Sequence, residues 1–332
     1  MHWRPKLRAV SSRKPPRAKN RRSRHVLLTV VIAVTAIGAA CSAKETSRPS
    51  DSSKPLATVV AASDTDDFGV RFPMDTLVAA RVVSLVPAAT EIIFAIGRGN
   101  RLIGRTTWDL FPDSARLVAN LGDGIRPNIE VVLAARPTLV VLYASTENRA
   151  AAAAFRKAGI AVMAIRVDRI ADFERLTKQL GVTLNAQRRA QQVVDTVTAT
   201  LQKVRTVCAD AGKPTVVWPL FESPVYVVGK GSFLSELLDI AGAANIFADM
   251  EKPSPEVSVE EIAHRDPAFL LTSPSSVNRM EANATWQSVR AVREQHILLV
   301  DTLLVSRPTV TLGMAAVSLA RLLHPDCASS LP

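Results

Sequence analysis

Glu130 and Glu260 stand at the same place in two copies of one motif, about 130 positions apart. The first copy reads Asn128-Ile129-Glu130, an apolar turn, Pro137 and an apolar run. The second reads Ser258-Val259-Glu260, a further turn, Pro267 and another apolar run. Each copy is an N-cap residue, a short helix, a proline stop and a buried strand. A carboxylate at the second position of such a helix lies in the favourable field of its N-terminus and stays ionised and exposed. Two such groups suit gripping rather than catalysis: they can hold a two-fold, cationic partner by charge-assisted bonds. Each could also merely support its own helix, but that role does not require the same place twice.

Other chemistry is sparse. His264, His296 and His324 fall on different predicted elements, so no metal cage is expected. Val228-Gly229-Lys230-Gly231-Ser232 resembles a phosphate-cradling loop only superficially, with Pro224 at the required first glycine and Gly231 at the hydroxyl position. Gly97-Arg98-Gly99 reads as a helix stop, and no nucleophile has a histidine partner by motif. These patterns point to a binder with no cofactor of its own, not an enzyme. Cys208 and Cys327 lack metal-site spacing and are expected to be buried and inert, with pairing left open.

The chain of 332 residues carries a formal charge of +11, but the excess is local. Residues 1–40 hold ten Lys/Arg and no acid; without them, 31 basic residues face 30 acidic ones. A neutral body is not the footprint of a nucleic-acid binder. Residues 26–40 are uncharged, and at that length too short for a bilayer span of about 20 residues. Residues 1–40 therefore read as an export signal. Gly38-Ala39-Ala40-Cys41 resembles a lipoprotein signal, with Cys41 as the lipidated residue and membrane anchor. Residues 41–67, rich in Ser, Thr, Asp and Lys, read as a tether.

Residues 68–184 alternate strands (Arg81–Val86, Leu102–Thr106, Leu139–Tyr143, Ile160–Ile165) with helices (Ile92–Ile96 after Pro87, and Thr146–Ala158). From 185 to 212 a three-or-four apolar spacing predicts one long helix, capped by Asn185 and stopped by Gly212. The alternation restarts in 213–332, with strands at Thr215–Trp218, Val225–Val228, Phe269–Thr272 and Ile297–Val300. Helices are predicted there at Phe233–Ile240, Glu281–Val292 and Val310–Leu323. The fold class is therefore α/β: two Rossmann-like lobes joined by one long backbone helix, with a ligand cleft between the lobes. Glu91, close behind Pro87, reads as a helix-capping residue.

Five segments carry a resemblance: Arg81–Glu91, the two glutamate units, Gly242–Phe247, and Arg307-Pro308 with the closing helix ending in Leu-Leu-His-Pro325. Over about residues 66–325 the chain resembles the periplasmic cobalamin and ferric-siderophore receptors. These are solute-binding proteins of ABC importers whose lobes are joined by a single long helix. The resemblance implies that Glu130 and Glu260 dock onto permease arginines. It also implies a metal chelate as ligand (corrinoid, ferric siderophore or haem), held by Trp108, Tyr143 and Tyr226. Arg105, Arg126 and Arg307 are expected on cleft loops, where guanidinium forks would hold an anionic chelate. Ser254 stands where cobalamin receptors carry a tryptophan. The expected product is an exported monomer, periplasmic or membrane-anchored. The alternatives are a two-domain transferase-like enzyme, which would need a phosphate-cradling loop, and a ligand-sensing relative without a transporter.

Overall fold

The computed structural model describes residues 65–72 and 81–331. The expected leader (1–40), Cys41 and nearly all of the tether (41–67) lie outside those residues.

The first lobe runs β1 (Val82–Ser84), α1 (Pro87–Ala95), β2 (Leu102–Gly104), α2 (Ile129–Ala134), β3 (Leu139–Tyr143), α3 (Arg149–Lys157), β4 (Ala161–Ile165) and α4 (Ile170–Thr183). Its four strands are parallel, in the order β2-β1-β3-β4. Strand β3 is buried at every position but the last. That is why it reads as an unbroken apolar run: helices cover both faces of a parallel sheet.

After α5 (Gln187–Val207) the second lobe runs β5 (Thr215–Val217), β6 (Pro219–Glu222), β7 (Val225–Val227), α6 (Phe233–Ile240), β8 (Ala244–Asn245) and α7 (Val259–Arg265). It continues with β9 (Phe269–Thr272), α8 (Pro274–Glu281), α9 (Arg290–Arg293), β10 (Ile297–Leu299), α10 (Leu312–Leu323) and α11 (Pro325–Ala328). Its parallel sheet has the order β8-β5-β9-β10, and β6 and β7 form a separate antiparallel ribbon. Taking each lobe's strands in chain order, both sheets are arranged 2-1-3-4. The duplication reaches the backbone: Arg136 (φ 50°) and Asp266 (φ 45°) are both left-handed, each directly before its proline.

Helix α5 buries Ala190, Val194, Val197, Leu201 and Val204, one stripe at alternating spacings of four and three. That stripe packs on α4 of the first lobe and on α6 and α10 of the second. Its 21 residues span roughly 31 Å at about 1.5 Å each, so one rigid rod joins the lobes. The lobes also meet directly. Phe233 N donates to Asp168 O (3.1 Å), Ile170 N to Glu236 Oε2 (2.9 Å), and Arg169 pairs with Glu236.

Two expectations are corrected. Asn185 does not cap α5; at φ 52° it is the left-handed residue that ends α4, a helix absent from the expected pattern. Where a helix Glu281–Val292 was expected, α8 already ends at Glu281, and only a 3-10 turn at Trp286–Ser288 and the short α9 follow. Asn283 is the cause, since its side-chain oxygen accepts from Thr285 N (2.9 Å) and so competes with the helical backbone.

Candidate ligand cleft and docking glutamates

In an open parallel sheet, neighbouring strands whose chain connections diverge leave a crevice at their carboxyl ends. In the first lobe that switch point lies between β1 and β3. A cleft of about 330 Å³ opens there. Leu85, Val86 and Pro87, just past β1, form one wall, while Tyr143 and Ser145 at the end of β3 form another. Gly124 closes a third side so tightly that an added Cβ would stand 2.1 Å from the Leu85 carbonyl oxygen.

Trp108 borders this cleft with 61% of its surface exposed, and Ile125 with 67%. Trp218 and Trp286 are buried, so Trp108 is the exposed indole among the described residues. Its loop is pinned from beneath by buried Asp109. That carboxylate accepts from the hydroxyls of Thr90 (2.5 Å) and Thr106 (2.6 Å), and Thr106 Oγ1 accepts from Trp108 N (3.1 Å). Burial raises the Asp109 pKa, and the threonine hydrogen bonds partly offset that rise.

The polar fittings of the cleft mostly accept. Tyr143 spends its hydroxyl on Asp168 Oδ1 (2.7 Å), and burial together with that bond pushes the phenol pKa upward. Its ring is what it offers to the cleft. Asn148 Nδ2 donates to the carbonyls of Tyr143 (3.0 Å) and Gly124 (3.3 Å), tying two walls together. Glu147 on the rim is held ionised by hydrogen bonds from its own amide and Ser145, with help from the charge of Arg126. Asp123 supplies a second carboxylate there.

Of the residues expected at a ligand site, Trp108 and Tyr143 share this cleft, and exposed Arg126 adjoins it beside Ile125. Three others lie apart from its walls. Tyr226 sits on β7, its hydroxyl donating to Glu256 Oε2 (3.4 Å) and its ring edge-on to Phe221. Arg105 is buried, and its guanidinium serves the carbonyls of Thr106 (2.7 Å), Ala115 (2.9 Å) and Arg116 (3.3 Å). Arg307 Nε donates to Glu91 Oε1 (2.6 Å), an ion pair that crosses from the second lobe to the first. The capping role expected of Glu91 is thereby corrected. It is the fifth residue of α1, past the orphan amides, and 3% exposed. Ile125, Asn148 and Glu147 were not anticipated; the turn-rich Asp123-Gly124 pair after β2 was the available sign.

Glu130 and Glu260 are both exposed, each second in its helix. Asn128 Oδ1 caps α2 by accepting from Val131 N (3.1 Å), and Ser258 Oγ caps α7 by accepting from Glu261 N (3.2 Å).

A duplicated 2-1-3-4 sheet bridged by one helix leaves a cleft at a switch point, where open α/β sheets bind ligands. A family model described as periplasmic binding protein matches residues 82–302. The chain belongs to the periplasmic binding protein family. Among its relatives, the ABC transporter substrate-binding lipoprotein YvrC of Bacillus subtilis is 28% identical over 254 residues, 74% of this chain and 80% of that one. The vitamin B12-binding protein of Vibrio cholerae is 28% identical over 236 residues, covering 70% and 84%. In fold, the chain is similar to the periplasmic heme-binding protein RhuT of Roseiflexus (TM-score 0.67, 22% identity, 75% of this chain and 99% of that one). Family membership makes this an exported binding protein.

Proposed function

We propose that this chain is the substrate-binding component of an ABC importer, anchored through Cys41, which takes up a metal chelate at the Trp108 cleft. It would deliver that ligand, as a monomer and without catalysis or a cofactor of its own, to a permease gripped by Glu130 and Glu260. Among corrinoid, haem and ferric siderophore, the cleft favours the corrinoid. The observation that carries this choice is the mismatch in charge. Arg105 and Arg307, two of the three arginines expected to hold an anionic chelate, are committed to main-chain carbonyls and to Glu91. What borders the cleft instead is an exposed indole, an apolar wall, and the carboxylates of Asp123 and Glu147. A flat macrocycle edged with neutral amide donors meets all three. The propionates of haem and the catecholates of many siderophores would meet two carboxylates there against the single guanidinium of Arg126.

Isothermal titration of the purified chain with hydroxocobalamin, haemin and a ferric tricatecholate tests this. Saturable binding is expected for the corrinoid. Trp108→Ala should weaken it on the order of tenfold, the worth of one stacking face. Preferential binding of haemin or the tricatecholate would overturn the ligand choice, and corrinoid affinity unchanged in Trp108→Ala would move the site elsewhere.

A further inference from the structure

At the far end of α5, two thiols meet. Cys208 follows the last turn of that helix and is 2% exposed, while half-buried Cys327 lies in α11, 119 positions later. Their sulfurs are 2.9 Å apart, closer than the roughly 3.5–4 Å at which non-bonded heavy atoms rest. A disulfide bond of about 2.05 Å needs a shift of under about 1 Å. The surroundings hold both partners in place. The ring of buried His324 meets the Gly242 carbonyl through Nε2 (3.1 Å), fixing the corner between α10 and α11, and Cys327 Sγ donates to the His324 carbonyl (3.5 Å). Helix α11 packs on both α10 and α5.

We propose that Cys208 and Cys327 form a disulfide in the exported protein, closing the second lobe into a covalent loop. Outside the cytoplasm thiols meet disulfide oxidants, either a thiol–disulfide oxidoreductase or a small-molecule disulfide. Cys327 is the more exposed partner, so its thiolate attacks one sulfur of the external disulfide. One thiol leaves, and a mixed disulfide remains on Cys327. Cys208 then gives up its proton and attacks the Cys327 sulfur, expelling the second thiol. Two protein thiols lose two electrons and two protons, and one external disulfide is reduced to two thiols. Burial and the neighbouring sulfur push the Cys208 thiol up to about 12, which fits the resolving role rather than the first attack. The bond would tie the end of the rod between the lobes to the last helix of the second lobe. It needs export but not any particular ligand, so it stands or falls separately from the corrinoid reading.

The test is non-reducing peptide mapping by mass spectrometry of the full chain, produced through its own leader and then incubated with oxidised glutathione. One linked pair of peptides containing Cys208 and Cys327, lighter than the two thiols by two hydrogens, is expected. Reductant should lower the melting temperature on the order of 10 °C, because the closed loop is long. Cys327→Ser should melt at the lower temperature with or without reductant. Recovery of both cysteines as separate free thiols after that incubation overturns the proposal, and this result does not depend on any variant folding.

Discussion

Glu91 shows what an ionisable group does when the fold removes its water. Desolvation raises its pKa above the usual 4.5; the Arg307 charge and the bond with Thr309 pull it back only partly, and nearby Asp109 adds to the rise. The sign for stability follows from linkage. As pH falls from 7, the folded chain takes up this proton before the unfolded chain would, so the folded state gains. The gain is complete below the usual value and absent above the raised one. Glu222, Asp249 and Asp266 work in the opposite sense. Arginines hold them below their usual values, so their contributions are lost only at more acid pH. Melting temperatures of the wild type and Glu91→Gln, compared at pH 7 and pH 5, should therefore diverge in favour of the wild type on acidification. A difference independent of pH would mean that Glu91 ionises as it does in the unfolded chain.

At the scale of elements, close backbone approaches decide what sequence motifs mean. The stretch Gly229-Lys230-Gly231 lies along the 250–255 segment, with Gly229 N donating to Pro253 O (3.0 Å) and Lys230 N to Met250 O (2.9 Å). A Cβ on Gly229 would stand 2.1 Å from the Lys252 carbonyl oxygen. Its glycine is there to let two strands of chain touch, not to cradle a phosphate. Gly229→Ala should cost about 1–3 kcal/mol, read as a lower urea midpoint with unchanged slope; an unmoved midpoint would show that the 250–255 segment yields freely. Other elements were legible to different degrees for related reasons. The buried strands β3 and β9 and the helix α6 were plain, because apolar period and a nearby Gly or Pro are local signals. Helix α4 was missed because Arg169 is not a typical start, and because Asn185, which ends it, reads equally well as a cap for the α5 that follows at once. The Glu91–Arg307 pair could not be read at all. Its partners are 216 positions apart, and periodicity records which face is buried, not what it is buried against. For the same reason the arginines of the cleft loops looked available when two of them were already bound within the protein.

For the molecule as a whole, the duplicated architecture makes the two exposed glutamates equivalent. Both lobes use the 2-1-3-4 order, both glutamate-bearing helices are side-chain capped, and both carboxylates sit second in their helix. A partner with two-fold symmetry would meet the same acidic handle on each half, and α5 packs on both halves that carry them. Docking of this kind is cooperative through geometry: once one handle is engaged, the second bond forms within one complex rather than from solution. Losing either should therefore cost much more than an isolated surface pair, which is worth at most about 1 kcal/mol. Association with the reconstituted permease is expected to weaken at least on the order of tenfold in Glu130→Ala or Glu260→Ala, and further when both are replaced. Raising salt should weaken the wild type toward the single variants, since the handles are exposed and screened. Ligand affinity should stay unchanged in all three variants, because neither glutamate borders the Trp108 cleft. If the double variant associates as tightly as the wild type, the handles serve only their own helices; if ligand affinity falls with association, the two sites are not separable.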